Sequence, residues 1–388
     1  MCSIIFTNKN ITDLDYVNHY QKFRGPDATS VIEDTENGFT FVHNLLSITG
    51  ELREQPFVKD NVVCIFNGEI YNYKDFGDYG SDGDCLVDLY LEYGDSFVKK
   101  LDGEFAILLI DYNKKKLIVS TDVFATKPLW ISFDGGVGVA SYHSALERLG
   151  FHNIRKVNAN TTEIYSLEEI KLMKKESVFD FDLEQHIDSY DRWNEAFVNS
   201  IRKRSEGVRE KIFIGLSSGY DSGAIGNELY KQNVSFKSYS IIGKENEKVL
   251  EDRCEILKNT QIIKMDMNTF NEVKHYLDNC CENYLNDSGG RMLNDKAAAG
   301  LGYISNLANK EGYRIYLSGQ GADEIISDYG RNGNKIYNHS SFGGRFPKSL
   351  DGFFPWHSFY DGTQIDYINK EECVAGTYGI ETRYPFLD

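Results

Sequence analysis

The pattern of hydrophobic and polar residues changes character near the middle of the chain. Up to about residue 165, short runs rich in Val, Ile, Leu and Phe alternate with turn residues, which is typical of β-strands. Between Asp84 and Leu101 the apolar residues instead follow helical spacing, which allows one helix to cover a sheet face. This half is predicted to form packed antiparallel sheets with helices outside them. The predicted strands are Ser3–Phe6, Phe39–His43, Val62–Phe66, Glu104–Asp111, Lys116–Thr121 and Val137–Ala140.

From about residue 185 the pattern becomes strand, turn and helix in alternation, which predicts a parallel sheet with crossover helices. Lys211–Leu216 and Arg314–Leu317 are apolar strands, and each runs into a turn of small residues. Residues 166–185 between the halves are charged and polar, as is typical of a connecting segment. We therefore predict one domain at 1–165, a linker at 166–185 and a second domain at 186–388.

Composition disfavours several classes of function. The 388 residues include 42 Lys or Arg and 59 Asp or Glu, and the net charge of −17 disfavours binding to nucleic acid or anionic membranes. No apolar run is long enough for a transmembrane helix and no signal-peptide pattern is present, so we expect a cytoplasmic protein. Seven scattered cysteines favour thiols over a disulfide framework or a zinc site.

Cys2 is the first candidate catalytic residue. Removal of Met1 would leave a residue that carries both a thiol and an α-amine. Because the pKa of an α-amine is about 7.7–8.0, this amine can accept the thiol proton near neutral pH, as in N-terminal nucleophile hydrolases. An incidental thiol is the alternative when Cys2 is considered alone.

A second group of candidates follows the apolar strand at Val62–Phe66. Asn67 and Gly68 offer a side-chain amide and a backbone N–H to a developing oxyanion. Glu69 and Asp84 are carboxylates that can hold an ammonium group. An ordinary Asn-Gly turn is the alternative interpretation of the first pair.

The two small-residue turns of the second half are candidates for anion binding. They are Ser217–Gly223 and Ser318–Glu324, and each follows a strand. A strand, a Ser- and Gly-rich turn and a helix together present backbone N–H groups to an anion. Asp221 in the first turn and Asp323 in the second can join a metal ion to phosphates. The pattern therefore predicts a phosphate or pyrophosphate site with Mg²⁺.

Five motifs of the first half occur in an order and spacing typical of one family. They are Met-Cys-Ser-Ile-Ile at 1–5, RGPD at 24–27, NGEIYN at 67–72, LDGEFAILLID at 101–111, and Asp122 followed by Lys-Pro-Leu at 127–129. They closely resemble the glutaminase domain of class II glutamine amidotransferases, in the asparagine synthetase branch. The resemblance implies that Cys2 attacks the glutamine side-chain amide and that ammonia is released into the protein. The implied oxyanion hole is Asn67 and Gly68, and the implied glutamine-binding residues are Asn67, Gly68, Glu69, Asp84 and Ile48.

Three motifs of the second half resemble the ATP-pyrophosphatase domain of asparagine synthetases. Ser217–Ser222 matches S-G-G-x-D-S except at its second residue, Leu317–Glu324 matches L-S-G-x-G-x-D-E, and Glu381–Asp388 matches E-x-R-x-P-F-L-D. The implied cofactors are ATP and Mg²⁺, with the metal held by Asp221 and Asp323. The residues implied to bind ATP and pyrophosphate are Leu216, Ser217, Gly219, Asp221, Ser222, Ile242, Ser318 and Gly319.

The resemblance spans nearly the whole chain and implies a fold for each half. The first would be an α+β N-terminal nucleophile domain, an αββα sandwich. The second would be an α/β synthetase domain with a parallel sheet, of the ATP-pyrophosphatase type. Relatives continue beyond the third motif, whereas this sequence stops at Asp388, so we expect either a compact variant with a shorter domain or a sequence that is cut short. A homodimer is left open, because relatives are often dimers.

Two departures from the family pattern remove a charged group. Leu45 stands where the family has an Arg that pairs with the α-carboxylate of glutamine, so weaker glutamine binding is expected unless Arg53 or another basic residue reaches in. Gln320 stands where the family commonly has a carboxylate, and a Gln amide is not a base at neutral pH. Ser218 and Tyr220 replace the usual Gly and Leu.

Three functions agree with these motifs. The first is a ligase that activates aspartate with ATP as an acyl-adenylate and uses ammonia from the Cys2 site to form asparagine. The second keeps this chemistry but acts on another carboxylic acid of a specialised pathway, with Gln320 and Tyr220 marking the changed pocket. The third is a degenerate nucleotide- or amino-acid-binding protein without turnover, motivated by Leu45 and Gln320. The expected partners are small-molecule substrates, with neither nucleic acid nor membrane.

Overall fold

A computed structural model of the chain contains two compact units. Unit 1 comprises Met1–Asp180 with two short later segments, and unit 2 comprises the rest of the chain. The structure describes residues 1–186, 189–243, 245–283, 292–354, 356–359 and 363–388.

Unit 1 contains two antiparallel sheets of six strands each. Its strands are β1 (Ser3–Thr7), β2 (Ala28–Asp34), β3 (Phe39–Leu45), β4 (Phe57–Lys59), β5 (Val62–Ile70), β6 (Gly103–Asp111), β7 (Lys116–Thr121), β8 (Trp130–Ser132), β9 (Gly138–Ala140), β10 (Arg155–Lys156), β11 (Thr161–Ser166) and β12 (Leu172–Ser177). The strand order is β10-β8-β9-β1-β3-β2 in the first sheet and β12-β11-β7-β6-β5-β4 in the second. Each of the six strands predicted from the apolar runs is present.

The two sheets pack against each other, and helices cover their outer faces. The helices of unit 1 are α1 (Leu14–Val17), α2 (Cys85–Tyr93) and α3 (His143–Arg148). Phe6 of the first sheet and Leu108 of the second are buried in the core between the sheets. Ile5 has the opposite orientation to Phe6, because side chains alternate along a strand, and it packs with residues of α1 and α3. Helix α2 covers the second sheet. Unit 1 is therefore the predicted αββα sandwich.

Helix α2 ends earlier than the apolar spacing predicts. The pattern continues to Leu101, whereas α2 ends at Tyr93 and a 3-10 helix follows at Gly94–Lys100. Gly94 has a φ of 62°, which glycine adopts without steric cost and which interrupts the α-helix. The tighter 3-10 helix still buries Phe97, so the apolar pattern reports burial rather than one continuous helix.

Unit 2 is built on a parallel sheet of five strands, as predicted for the second half. Its strands are β13 (Lys211–Gly215), β14 (Phe236–Ile241), β15 (Thr260–Ile263), β16 (Tyr313–Leu317), β17 (Gly330–Arg331), β18 (Asn334–Lys335) and β19 (Glu381–Arg383). Its helices are α4 (Asp191–Ser205), α5 (Tyr220–Lys231), α6 (Glu247–Leu257), α7 (Met267–Cys280), α8 (Lys296–Lys310) and α9 (Thr363–Gly376). The order of the sheet is β15-β14-β13-β16-β19, and β17 and β18 form a separate pair.

The sheet order of unit 2 brings the two Ser- and Gly-rich turns together. Strands β13 and β16 are parallel neighbours, and Ile214 is paired with Leu317 at their carboxyl ends. The turn after β13 and the turn after β16 therefore lie at the same edge of the sheet. This edge is where ligands bind in open parallel sheets.

The expected linker at 166–185 differs from the structure in its first part. Strand β12 lies inside it and pairs with β11 as the edge strand of the second sheet. Most of its side chains are exposed, because it is an edge strand, and charged residues at an edge protect a sheet from pairing with other chains. The charged pattern at 172–177 is therefore that of an edge strand, and unit 1 extends to Asp180.

The helices and the cysteines add two observations. Within the described residues no helix is long and apolar enough to cross a membrane. All seven cysteines are among the residues described, and none of them forms a disulfide. Burial raises the pKa of the Cys85 and Cys281 thiols to about 12, so these two are not nucleophiles at neutral pH.

Candidate functional site

The thiol of Cys2 lies immediately before β1 and is held by backbone contacts. The backbone N–H of Leu46, which follows β3, donates to Sγ of Cys2 over 3.4 Å. The residue is 9% exposed, so the sulfur reaches the surface only through a pocket. A hydrogen bond donated to sulfur favours the thiolate, which is the nucleophilic form of cysteine.

Arg24 fixes the backbone next to this thiol. Its Nε donates to the carbonyl of Cys2 over 3.0 Å, and its Nη1 donates to the hydroxyl of Tyr142 over 3.1 Å. The Arg24 side chain is fully buried. In the sequence Arg24 is only the first residue of the RGPD motif, whereas in the structure it is a buried cation that positions the residue bearing the thiol.

The pocket at Cys2 includes some of the predicted glutamine-binding residues and not others. Its lining residues are Cys2, Leu45, Leu46, Ser47, Ile48, Thr49, Glu51, Arg53, Gln55, Phe57, Phe66, Gly68, Glu69, Ser81 and Asp82. The predicted Cys2, Ile48, Gly68 and Glu69 are therefore brought together. Asn67 and Asp84 do not line this pocket.

Asn67 is nevertheless set apart from an ordinary turn residue by its burial. It belongs to β5, where it is paired with Ala106, and its side chain is fully buried. Neither the nitrogen nor the oxygen of its amide has a hydrogen-bond partner among the residues that the structure describes. A buried polar group without a partner costs about 1–3 kcal/mol, so this amide is poised to gain from a ligand. Gly68 beside it has a φ of 148°, and a Cβ there would lie 2.0 Å from the carbonyl oxygen of Glu104.

The structure places Asp82, and not the predicted Asp84, on the pocket lining. Oδ2 of Asp82 accepts the backbone N–H of Ile70 over 2.9 Å. Oδ2 of Asp84 instead accepts the backbone N–H of Ser81 over 3.0 Å, which caps a 3-10 turn, and pairs with Arg53. Two aspartates in Ser-Asp-Gly-Asp are equivalent on sequence alone, because only the turn decides which carboxylate faces the pocket.

Arg53 is the one basic residue among the described residues that line this pocket. Its Nη2 lies 3.1 Å from Oε2 of Glu51, and its Nε lies 3.4 Å from Oδ2 of Asp84. The side chain of Arg53 is 48% exposed. Leu45, at the position where an arginine was expected, is also part of the lining and is buried.

In unit 2 the first small-residue turn connects β13 to α5 and is tightened by its own hydroxyl groups. The backbone N–H of Ser217 donates to Oγ of Ser222 over 3.0 Å, and the N–H of Gly219 donates to Oγ of Ser217 over 3.1 Å. Arg253 of α6, which the sequence analysis missed, donates to the carbonyls of Ser217 and Gly219. The turn is therefore held from outside by a cation that stands beside the predicted phosphate site.

The two turns approach each other closely at Asp221 and Gly319. A Cβ at Gly319 would lie 3.0 Å from Cβ of Asp221, so this position requires a very small residue. Burial, and then the nearby carboxylate of Asp323, raise the pKa of Asp221 to about 6. A cation bound next to Asp221 and Asp323 would favour the charged form of Asp221.

A magnesium ion fits these two carboxylates together with phosphate oxygens. No group of three or more His, Cys, Asp or Glu side chains suited to a metal occurs within the described part of the chain. Mg²⁺ is usually bound through one or two carboxylates plus substrate phosphates, rather than by a full set of protein ligands. Asp221 and Asp323 meet this requirement.

The cleft beside the turns consists of two adjoining cavities of about 240 and 290 Å³. The first is polar, and the second has an apolar wall contributed by α8 and β14. The first is lined by Gly215, Ser217, Asp221, Ser222, Tyr316, Ser318, Gly319, Gln320, Asp323, Glu324, Tyr329, Tyr367 and Glu371. The second is lined by Gly215, Leu216, Ser217, Tyr239, Ile241, Glu245, Ala297, Gly300, Leu301, Ile304, Tyr316, Gln320, Lys370 and Glu371. Residues common to both lists make the cleft continuous.

Most predicted nucleotide-binding residues line this cleft, with two exceptions. Ile242 does not line either cavity and is 40% exposed, whereas its neighbour Ile241 lines the apolar wall. Successive residues at the end of a strand have opposite orientations, so an error of one position moves the side chain out of the cleft. Gly219 does not line the cavities either and contributes only its backbone to the turn. The α8 wall has no motif in the sequence.

Glu371 of α9 occupies the centre of the cleft, next to Gln320. Its Oε2 accepts the hydroxyl of Ser318 over 2.6 Å, and its Oε1 accepts the side-chain N–H of Gln320 over 3.3 Å. Burial raises the pKa of the Glu371 carboxyl to about 7. A carboxyl with this pKa can exchange a proton near neutral pH, which Gln320 cannot do.

The third motif, Glu381–Asp388, contacts the second turn and its strand. Strand β19 pairs with β16, and the backbone N–H of Ser318 donates to the carbonyl of Arg383 over 2.9 Å. Arg383 is buried and donates to the carbonyl of Arg204 in α4 over 2.8 Å. Asp388 forms an ion pair with Arg204 at 2.7 Å. The motif therefore fixes the position of the second turn and does not line the cleft.

The chain is similar to known proteins over most of its length. A family model described as a glutamine amidotransferase domain matches residues 1–181. A Methanocaldococcus jannaschii protein named "Putative asparagine synthetase (glutamine-hydrolyzing) 1" is 26% identical, over 96% of this chain and 71% of that protein. An asparagine synthetase (glutamine-hydrolyzing) of Brassica oleracea is 24% identical, over 95% of this chain and 64% of that protein. The chain thus spans about two thirds of the length of these relatives.

Among solved structures, a glutamine phosphoribosylpyrophosphate amidotransferase from B. subtilis aligns with 68% of this chain and 81% of its own. The sequence identity is 15% and the TM-score is 0.38. A TM-score of this size carries no argument about the fold, which rests on the strand order and packing of the two units.

Proposed function

We propose that the chain is a carbon–nitrogen ligase that uses glutamine and ATP, because the relatives that it matches over most of its length are named as glutamine-hydrolysing asparagine synthetases. The observation that carries the proposal is the presence of two complementary sites in one chain. Unit 1 holds a thiol in a pocket that Gly68 and Glu69 also line, and unit 2 holds two neighbouring carboxylates beside a Ser- and Gly-rich turn. The first site suits release of ammonia and the second suits activation of a carboxylate.

In unit 1, Cys2 is the proposed nucleophile after removal of Met1. The α-amine accepts the thiol proton, and the sulfur attacks the carbonyl carbon of the glutamine side chain. The amide of Asn67 and the N–H of Gly68 stabilise the oxyanion that forms, because donors placed in advance need no reorganisation. Breaking the C–N bond releases ammonia, and water then hydrolyses the thioester to glutamate and restores the thiol.

In unit 2, the cleft is proposed to bind ATP. The apolar wall of α8 and Ile241 receives the adenine ring, and the turn at Ser217–Ser222 receives the phosphates. Asp221 and Asp323 would hold Mg²⁺, which neutralises phosphate charge when it is bound. Sequestering the reactive acyl-adenylate in this cleft limits its hydrolysis.

The second half-reaction forms the amide. The carboxylate of the acceptor attacks the α-phosphorus of ATP, and pyrophosphate leaves. Ammonia then attacks the acyl carbon and AMP leaves with the electron pair of the broken C–O bond. Glu371 is the group in the described cleft best suited to accept the proton that the attacking nitrogen loses, because the pKa of its carboxyl is about 7.

Aspartate is the proposed acceptor, by analogy with the relatives. A different carboxylic acid is the second candidate, and one observation favours it. Gln320 lines both cavities and donates to Glu371, so the acceptor side of the cleft differs chemically from the family pattern.

The test is release of pyrophosphate from Mg·ATP with aspartate, with either ammonium or glutamine as nitrogen source, followed by identification of the amide product. Release with both sources and formation of asparagine is the expected result. Release with neither source would exclude aspartate, and a panel of carboxylic acids then tests the second candidate. No release with any acid would contradict the proposed ligase.

A further inference from the structure

The charges in the pocket at Cys2 are arranged as for an α-amino acid. Within the described lining, Arg53 is the basic residue. The carboxylates of the lining are those of Glu51, Glu69 and Asp82. At neutral pH an α-amino acid carries a carboxylate and an ammonium group on the same carbon. A pocket with one cation beside several anions gives each of these groups a partner of opposite charge.

The present ion pairs of Arg53 are ones that a ligand can replace. The guanidinium nitrogens lie 3.1 Å from Glu51 and 3.4 Å from Asp84, longer than the roughly 2.7–2.9 Å of a strong charged hydrogen bond. The side chain of Arg53 is 48% exposed, and ion pairs at exposed positions contribute little to stability. A carboxylate that binds the planar guanidinium with both oxygens forms a stronger contact.

The size of the pocket also implies movement of Arg53. The cavity is about 30 Å³, which is room for about two water molecules. Leu45 and Phe66 are buried in the walls, whereas Arg53 is long and partly exposed. Its guanidinium lies over the backbone of Gly80, where a Cβ would come within 2.8 Å of Nη2. Arg53 is therefore the wall element best able to move when a glutamine side chain enters.

We propose that Arg53 binds the α-carboxylate of glutamine by exchange of ion pairs. Arg53 leaves Glu51 and Asp84 and pairs with the carboxylate of the substrate, while the ammonium group of the substrate pairs with the carboxylates of the lining. Leu45 serves as an apolar wall and takes no part in charge recognition. This assignment rests on the proposed glutaminase function of unit 1.

The experiment compares glutamine with L-glutaminamide, in which an uncharged amide replaces the α-carboxylate. For Arg53→Gln we expect the KM for glutamine to rise about 10-fold, the size of one lost charged hydrogen bond, with kcat within about twofold. The preference of the wild-type protein for glutamine over glutaminamide should shrink by the same factor. Arg155→Gln is the matched control, because it also breaks an arginine–glutamate ion pair in unit 1 but lies outside the pocket.

A second readout uses alkylation of Cys2 and does not depend on turnover. The reagent 6-diazo-5-oxo-L-norleucine carries the charged end of an amino acid, whereas iodoacetamide does not. Arg53→Gln should slow labelling by the first reagent about 10-fold and leave labelling by the second unchanged, which also shows that the pocket is intact.

Two outcomes distinguish failure of the role proposed for Arg53 from failure of the proposed glutaminase function. Unchanged KM and unchanged preference for glutamine in Arg53→Gln would overturn the role of Arg53 and leave the glutaminase proposal standing. A wild-type protein that neither hydrolyses glutamine nor reacts with the glutamine analogue, although iodoacetamide still labels Cys2, would overturn the glutaminase proposal and this assignment with it.

Discussion

The pocket of unit 1 and the cleft of unit 2 each lack one charged residue of the asparagine synthetase pattern that the sequence resembles, and each has a charged group from another segment nearby. In unit 1 Leu45 stands in place of an arginine, and Arg53 on a following loop lines the same pocket. In unit 2 Gln320 stands in place of a carboxylate, and Glu371 of α9 is hydrogen-bonded to it. Each site therefore contains a charged group of the same sign as the one that it lacks, and a different position of the chain supplies it.

The two replacements differ in how firmly they are held. Arg53 is half exposed and forms only loose ion pairs, so its position adapts to a ligand. Glu371 is buried and accepts two hydrogen bonds, so its position is fixed and its pKa is raised. Binding of a flexible substrate suits the first arrangement, and transfer of a proton at a defined atom suits the second.

The largest effect is expected from Cys2→Ala, which separates the two sites completely. Glutamine-dependent synthesis should fall by about 10⁴-fold or more, because no other nucleophile can replace the thiol, whereas ammonium-dependent synthesis should be unchanged. Cys254→Ala, at a partly exposed cysteine of unit 2, is the control. Equal use of glutamine by Cys2→Ala and the wild-type protein would refute the assignment of Cys2.

Glu371→Gln tests the fixed carboxylate of the cleft. With ammonium as nitrogen source we expect product formation to fall about 100-fold, while adenylation, measured by ATP–pyrophosphate exchange, persists. In the wild-type protein the rate should fall as the pH decreases below about 7, because the carboxyl of Glu371 is then protonated and accepts no proton. The variant should lose this dependence.

Glu282→Gln is the matched control for Glu371→Gln. Both glutamates are buried, both accept a hydrogen bond from a serine hydroxyl, and burial raises the pKa of each to about 7. Glu282 lies in a short segment of unit 1 and does not line the cleft. A similar loss of product formation in both variants would mean that Glu371 is needed for folding and not for proton transfer.

A smaller effect is expected from Asp323→Asn at the proposed metal site. The Mg²⁺ concentration for half-maximal pyrophosphate release should rise about 10-fold or more, because one of two anionic ligands is lost. The pKa of Asp221 should also fall, since Asp323 contributes to raising it. An unchanged Mg²⁺ requirement would remove Asp323 from the metal site.

The smallest effect concerns stability and involves Glu282. Burial raises the pKa of Glu282 from its ordinary value of 4.5 to about 7 in the folded protein, so the folded state binds more protons between these pH values. The free energy of unfolding should therefore decrease as pH rises from 4.5 through 7. Glu282→Gln should remove this decrease and be about 1 kcal/mol more stable at pH 8, after allowance for a weaker hydrogen bond. Urea unfolding at pH 5 and pH 8 measures the difference, and equal pH dependence in both proteins would contradict it.

Local patterns predicted most of the fold. The apolar runs correctly located strands in both units, because burial on a sheet requires the same alternation wherever a strand occurs. The pattern misjudged Leu172–Ser177, where an exposed edge strand has the composition of a linker. Gly94 likewise divided one apolar pattern between two kinds of helix.

The candidate site residues could be named from the sequence because each belongs to a short contiguous motif: Cys2 at the N-terminus, Asn67 and Gly68 after a strand, and Asp221 and Asp323 in two turns. Their surroundings were not identifiable in this way. Whether Asp82 or Asp84 faces the pocket depends on a 3-10 turn, and whether Ile241 or Ile242 faces the cleft depends on the orientation at the end of a strand.

The limit of prediction from sequence is clearest at Arg53 and Glu371. Neither belongs to a recognised motif, and each reaches its site only through the packing of a loop or a helix. The residues of a motif are close together along the chain, so a motif can be recognised from the sequence alone. Distances between segments far apart along the chain arise only from folding, and these distances decide which side chain supplies the missing charge.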